Sequence, residues 1–168
     1  MHDGPRVPPG SEALDMRVVS AAHGWIGTPY RHQGSRMGVG CDCLGLVRGV
    51  WRTVLGTEPA PVPPYSPDWG ELTDDDPLLE AARAFLVPAR LIAPGRVLLF
   101  RWSRGSAAKH CGIVSTPDRM IHAYAGTGVV ESTLVPSWRR RIAGIFAFPA
   151  PDKTAPAPDV AARRTEIA

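Results

Sequence analysis

With 168 residues, 44% of them apolar and 21% charged, the chain is sized for one domain with a substantial core, which excludes wholesale disorder. The net charge of +3 comes from 19 basic residues, all arginine except Lys109 and Lys153. They are scattered rather than striped, and no apolar run reaches the roughly 18 residues of a membrane span, so neither nucleic-acid binding nor membrane insertion is expected.

Three cysteines cannot all pair, and the start MHDGPRVPPGSEALDMR shows no basic segment followed by an apolar run. A disulfide scaffold is therefore not expected, and the interesting cysteine is a thiol or a metal ligand.

In chain order, the prolines and glycines of residues 1–10 predict a flexible N-terminal arm. From Ser11, Leu14, Val18, Ala21, Ala22, Trp25 and Ile26 recur at helical spacing, up to Gly27-Thr28-Pro29. The glycine-rich residues 31–40 read as a mobile loop. A second helix opens at Asp42 or Cys43, carries Leu44, Val47, Val50, Trp51, Val54 and Leu55 as an apolar stripe, and meets Gly56 as its terminator.

The proline-rich stretch 58–77 has no periodicity and reads as a long, contact-making loop. A short helix is predicted over 78–86, with Asp74–Asp76 favouring its N-terminal dipole. Beyond Pro94-Gly95 the period becomes that of strands: Val97–Phe100, Cys111–Val114, Met120–Tyr124, Val129–Ser132 and Ile142–Phe148, with a turn at Gly126-Thr127-Gly128. Helices followed by a strand meander predict an α+β domain over 11–149, its helices packed on a small antiparallel sheet. Arg139-Arg140-Arg141 reads as a solvated loop or contact rim, and 150–168 as a Pro/Ala-rich C-terminal tail.

The residues that carry chemistry centre on Gly40-Cys41-Asp42-Cys43-Leu44-Gly45-Leu46-Val47. A cysteine at the first position of a helix faces unpaired N–H groups and the positive dipole end, and both favour thiolate. Gly45 allows another element or a substrate to approach the first turn. Downstream, Lys109-His110-Cys111-Gly112-Ile113-Val114 and Arg119-Met120-Ile121-His122-Ala123 offer two histidines that a hairpin would place side by side. One imidazole could then serve as base and the other fix its orientation.

Cys41 is expected on the loop side of the helix start as a structural residue. Cys111 should alternate away from His110 into the core. A zinc or iron–sulfur site built from Cys41, Cys43, Cys111, His110 and His122 is the competing reading. The CxC and HC spacings do not match the usual knuckle geometry, and neighbouring strand residues point to opposite faces, so no metal and no cofactor are expected. His2, His23 and His32 read as surface or loop residues, with His32 a candidate for the cleft wall.

These motifs resemble the NlpC/P60 family of papain-like cysteine peptidases. The resemblance is carried by Gly27-Thr28-Pro29-Tyr30, by Asp42-Cys43-x-Gly45-Leu46-Val47, by Pro94-Gly95 before the first strand, and by His110-x-Gly112-Ile113 with His122. It implies Cys43 as nucleophile, His110 as general base, His122 as the orienting third residue, Tyr30 lining the oxyanion position and Asp42 as a substrate contact. Three positions depart from the family's usual pattern: Leu44 for Ser, Arg96 for Asp, and Cys111 for an aliphatic residue.

The implied activity is hydrolysis of peptidoglycan stem peptides, typically at the γ-D-glutamyl–diaminopimelate bond. The Arg-rich, signal-free form and the Phe146-Ala147-Phe148-Pro149 strand resemble the phage-tail and gene-transfer-agent branch. Tail-tip or baseplate partners are then expected, with synthesis in the cytoplasm and action in the cell wall. The alternative is a catalytically silent structural module of such a tail. Lipid or acyl transfer, a third use of Cys–His chemistry, finds neither a basic amphipathic helix nor a membrane segment to support it.

Overall fold

The computed structural model of the chain describes residues 11–68 and 74–151. The expected N-terminal arm, and the C-terminal tail beyond Pro151, lie outside the described residues. Among the described residues no helix is long and apolar enough to cross a membrane.

The chain begins with helix α1 (Ser11–His23) and a small hairpin of β1 (Ser35–Arg36) and β2 (Gly40–Cys41). Helices α2 (Cys43–Val54) and α3 (Pro77–Phe85) follow. Strands β3 (Val87–Pro88), β4 (Val97–Arg101), β5 (Ala108–Thr116), β6 (Arg119–Tyr124) and β7 (Gly128–Thr133) come next, then the short helix α4 (Pro136–Arg139) and strand β8 (Ile142–Ala147). β3 to β8 form one antiparallel sheet in the order β3-β8-β4-β5-β6-β7. The architecture is α+β, as the switch from helical to strand periodicity predicts.

The sheet is covered on both faces, and the sequence of β4 shows why. Val97 and Leu99 point toward α1, α2 and α3, where they join Val18, Leu46, Val50, Leu78 and Ile113. Leu98 and Phe100 point the other way, into a smaller cluster with Val114, Met120 and Leu134, packed by Trp138 and Ile142. A strand buried on both faces reads as an unbroken apolar run, which is what Val97-Leu98-Leu99-Phe100 is.

Two local expectations are corrected. α1 ends at His23, and successive turns then carry Trp25 into the core while Ile26 stays 45% exposed. The 31–40 segment is a pinned hairpin rather than a mobile loop: the Ser35 hydroxyl donates to the Gly45 carbonyl at 2.6 Å, and Arg52 donates to the Ser35 carbonyl at 2.6 Å. The arginine cluster is an exposed contact rim, one of the two forms expected. Arg139 donates to the carbonyls of Leu134 and Pro117, and Arg141 lies 5.6 Å over the Trp102 ring.

Arg96, one of the three departures, is tied to Asp15 of α1 at 2.6 Å, with both side chains largely buried. Its work is to join the first helix to the entry of β4.

Candidate active site

The site is assembled where α2 begins. Asp42 caps the helix: one carboxylate oxygen accepts the Gly45 N–H at 2.7 Å, leaving Cys43 as the first helical residue. The cap can form because Gly45 has no side chain. A Cβ there would lie 1.8 Å from the Gly34 carbonyl oxygen, which belongs to the segment leading into the β1–β2 hairpin. The close approach that this glycine was expected to permit is therefore an approach by the chain itself.

Cys43 is half-buried. It packs against the core cluster that contains Cys111 of β5, the strand that also carries His110. The Cys111 contact, followed by the bond and the charge of His110, pulls the Cys43 thiol well below its ordinary range, against burial and the nearby Asp42 carboxylate. The other two thiols move in the opposite direction. Cys41, fully buried, is pushed up to about 12 by burial and then by Asp42 and Cys43. Cys111 is raised by its bond to Cys43 and by burial.

His110 and His122 are brought together as the hairpin predicts. Ile113 pairs with Ile121, and a Cβ on Gly112 would come within 3.1 Å of the His122 Cβ, so Gly112 leaves the space in which the two rings meet. His110 Nε2 lies 2.8 Å from His122 Nδ1, and His122 Nε2 lies 2.9 Å from the Ser132 hydroxyl on β7. With Nε2 engaged, His110 has Nδ1 left for the Cys43 sulfur. Trp102 stacks on the His110 ring with centroids 5.9 Å apart, and Trp138 lies at 5.5 Å, so the imidazole has little freedom to rotate.

Burial, and then the proximity of His110, lower His122 from 6.5 to about 4. At neutral pH His122 is therefore uncharged. Its partners assign the tautomer: Nδ1 accepts from His110 and Nε2–H donates to Ser132. This displacement also links stability to pH. Between 6.5 and 4 the unfolded chain binds a proton at His122 that the folded chain does not, so stability falls as pH drops through that window, by about 3 kcal/mol. Urea unfolding across that range should show a steeper loss for the wild type than for His122→Gln. Parallel curves would rule the linkage out.

Tyr30 is half-buried and pairs across a parallel bridge with Cys41. Burial, followed by the Cys43 and Asp42 charges, raises its hydroxyl, so it stays protonated. Asp42 is not free to contact a substrate, contrary to expectation. It is 2% exposed, and its second oxygen accepts the Gln33 N–H at 2.7 Å and the Tyr65 hydroxyl. Its carboxylate serves the helix cap and two loops. Cys111 enters the core as expected.

Tyr65, Ser132, Trp102 and Trp138 were not singled out from sequence. Tyr65 comes from the proline-rich stretch, whose start is anchored by Glu58 on Arg48 and Arg52. The Tyr65 carbonyl accepts from Gln33 and lies 2.8 Å from the exposed His32 ring. Beneath this strap is a cavity of about 580 Å³, lined by Leu44, Val47, Trp51, Leu78, Leu99 and Cys111 among others. Leu44, the second departure, thus faces an apolar space. Among the described residues no group of three or more His, Cys, Asp or Glu side chains is placed to hold a metal ion.

The NlpC/P60 family model matches residues 27–146, which contain every site residue described above. The chain belongs to the NlpC/P60 family. It is 30% identical over 144 residues to the gamma-DL-glutamyl hydrolase of Bacillus subtilis (strain 168), covering 85% of this chain and 32% of that protein. It is 27% identical over 129 residues to the murein DD-endopeptidase MepS/murein LD-carboxypeptidase of Escherichia coli (strain K12), covering 76% of this chain and 60% of that protein. The chain thus spans less than two thirds of either relative.

Solved NlpC/P60 structures share the fold. The NlpC/p60 domain of the peptidoglycan hydrolase SagA superposes with a TM-score of 0.54 at 22% identity, covering 79% of this chain and 97% of that one. An NlpC/P60 family protein from Bacillus cereus ATCC 10987 gives a TM-score of 0.57 at 19% identity, covering 80% of this chain and 40% of that one.

Proposed function

We propose that this NlpC/P60 chain is a cysteine peptidase that hydrolyses peptidoglycan stem peptides, with Cys43 as nucleophile, His110 as general base and His122 as the orienting residue. The observation that carries the reading is the line of ring contacts from His110 through His122 to Ser132, on the sheet against which the capped start of α2 packs. Of the three thiols, Cys43 is the one whose surroundings favour thiolate, with the nearby charge of His110 among the causes.

In this reading the Cys43 thiolate attacks the substrate carbonyl carbon. The resulting oxyanion accepts hydrogen bonds from the Cys43 N–H and the Tyr30 hydroxyl. His110, protonated while Cys43 is a thiolate, passes its Nδ1 proton to the departing amine, and the carbon–nitrogen bond breaks to leave a thioester. Neutral His110 then takes a proton from water, and the hydroxide displaces the thiolate and releases a carboxylate. Throughout, uncharged His122 accepts from Nε2–H of His110, which holds the ring so that Nδ1 faces sulfur.

The γ-D-glutamyl–diaminopimelate bond is the proposed scissile bond. It is supported by the name of the B. subtilis relative, a gamma-DL-glutamyl hydrolase, and by the family resemblance. We propose further that the chain acts within a phage-like tail, beside tail-tip or baseplate proteins, and meets the cell wall from outside. That placement rests on the resemblance of the arginine-rich chain and its Phe146-Ala147-Phe148-Pro149 strand.

Purified sacculi provide the test. Untreated protein should release muropeptides bearing new amino termini, and protein alkylated at Cys43 with iodoacetamide should release none. Equal release by both preparations, or none by either, would overturn the reading; the second outcome would favour a silent tail module.

A further inference from the structure

We propose that Tyr65 is a positioning residue for the nucleophile: its hydroxyl clamps the proline-rich strap onto the Asp42 carboxylate that caps α2 immediately before Cys43. The inference rests on the reading of Cys43 as the nucleophile, and it gives the strap, which that reading leaves unused, a part in the chemistry.

The strap is stapled to α2 at two places. At one end Glu58 is paired with Arg48 at 2.7 Å and with Arg52 at 2.5 Å, both in the second half of the helix. At the other end the Tyr65 hydroxyl donates to Asp42, at the cap. Four of the six residues between them are proline. Prolines fix φ and carry no N–H, so the strap is stiff and offers few donors of its own. A strap of this kind is placed by its ends.

Tyr65 and Asp42 are joined a second time, through Gln33. The Gln33 N–H donates to the same carboxylate oxygen at 2.7 Å, and its side-chain amide donates to the Tyr65 carbonyl at 2.5 Å. With the Tyr65 hydroxyl on Asp42, the three residues close a ring of hydrogen bonds. Gln33 has φ of +61°, a left-handed backbone that residues with side chains rarely adopt. Such a conformation is kept only where surrounding bonds hold it, and here both the N–H and the side chain of Gln33 belong to the ring. His32 adds a further contact, 2.8 Å from the Tyr65 carbonyl and edge-on to the Tyr65 ring at 5.2 Å.

This ring governs a charge that neighbours the nucleophile in the chain. Asp42 is 2% exposed, so its carboxylate depends on donors from the protein. The Gly45 N–H serves one oxygen, the Gln33 N–H and the Tyr65 hydroxyl serve the other, and Tyr65 supplies the side-chain donor. Burial, and then the bond to Asp42, raise the Tyr65 hydroxyl, so it remains a donor throughout the pH range in which a thiol ionises. The other groups that feel the carboxylate are Tyr30, Cys41 and Cys111, while His32 Nδ1 stands 3.8 Å from it. At Cys43 the Asp42 charge opposes thiolate and the His110 charge favours it. Without the Tyr65 hydroxyl the carboxylate is less well compensated and the cap of α2 loosens, and both disfavour thiolate at Cys43.

The experiment follows iodoacetamide alkylation of Cys43 in the full chain as a function of pH, read by peptide mass. Tyr65→Phe keeps the ring and the backbone carbonyl and removes the hydroxyl alone. Its alkylation midpoint should lie about 0.5–1 pH unit above that of the wild type, the shift expected when a neighbouring carboxylate loses one donor. Gln33→Ala, which frees the Tyr65 carbonyl but leaves the donors on Asp42 in place, should shift it in the same direction by less. Glu58→Gln, which weakens the far staple, should lower the thermal midpoint and leave the alkylation midpoint where it is. An unshifted Tyr65→Phe would overturn the inference. So would an equal shift in Glu58→Gln, because the strap would then act through general stability. If Tyr65→Phe does not fold, the other two variants decide, and a Gln33→Ala midpoint no higher than that of Glu58→Gln counts against Tyr65. Alkylation needs no substrate: the expected shifts without muropeptide release by the wild type count against the peptidase reading, and release with an unshifted Tyr65→Phe counts against this one.

Discussion

Cys43→Ala is expected to lower muropeptide release by about 10⁴- to 10⁶-fold, the range seen when a covalent nucleophile is removed from a site whose other parts remain. The fold should survive, because only one half-buried sulfur is lost and the Asp42 cap on Gly45 does not involve it. Circular dichroism and the thermal midpoint of the variant should therefore match the wild type closely. Cys43→Ser should be nearly as inactive. A hydroxyl is far less acidic than a thiol, and surroundings that lower the Cys43 thiol cannot bring an alcohol to its alkoxide at neutral pH. Alkylation provides a parallel measurement. At neutral pH iodoacetamide should label Cys43 faster than an ordinary exposed thiol and leave Cys41 and Cys111 almost untouched. Retention of activity in Cys43→Ala would remove Cys43 from the chemistry altogether.

What the sequence made legible follows from how local each signal is. α2 and its cap could be read because the apolar stripe from Val47 to Val54, Asp42 before it and Gly56 after it all lie within 15 residues of one another. The His110–His122 pair could be read because a hairpin is a short-range object, and Gly112 leaves room for the second ring. The missing parts are long-range. Tyr65 reaches Asp42 across 23 positions from a stretch with no periodicity, and no local pattern marks one tyrosine among prolines as its destination. Ser132 lies on β7, where an alternating serine is ordinary, and only the register of β6 against β7 brings it to His122.

Alternation correctly sent Cys111 to the face opposite His110. It could not show that α2 packs on β5, which puts Cys43 against the cluster that Cys111 enters. Asp42 illustrates the converse error. A carboxylate beside a nucleophile reads as a substrate contact until its hydrogen bonds are counted, and here they are filled by Gly45, Gln33 and Tyr65.

Gly45→Ala should be the most damaging single-methyl change in the site. Helix propensity alone favours the substitution by about 1 kcal/mol. The geometry opposes it: the new Cβ would sit 1.8 Å from the Gly34 carbonyl oxygen and 2.9 Å from its carbon, both backbone atoms that no rotamer change can move. Either α2 must tilt or the Gly34 segment must retreat. Retreat strains the Ser35–Gly45 and Asp42–Gly34 hydrogen bonds and the Gln33 N–H on the capping carboxylate, while tilting displaces Cys43 from His110. Overpacking against backbone, added to these losses, outweighs the propensity gain and leaves a net destabilisation of about 3 kcal/mol, a thermal midpoint lower by about 6–12 °C. A displacement of Cys43 by about 1 Å lowers turnover by roughly 10²-fold in whatever fraction remains folded. Gly56→Ala, at the other end of the same helix, isolates the cause. That residue has φ of +90° with open space around it, so alanine there meets backbone strain of about 1 kcal/mol and no clash, and turnover should be unchanged. If Gly45→Ala proved as stable and as active as the wild type, the contact between the Gly34 segment and the first turn of α2 would not be what holds the nucleophile in place.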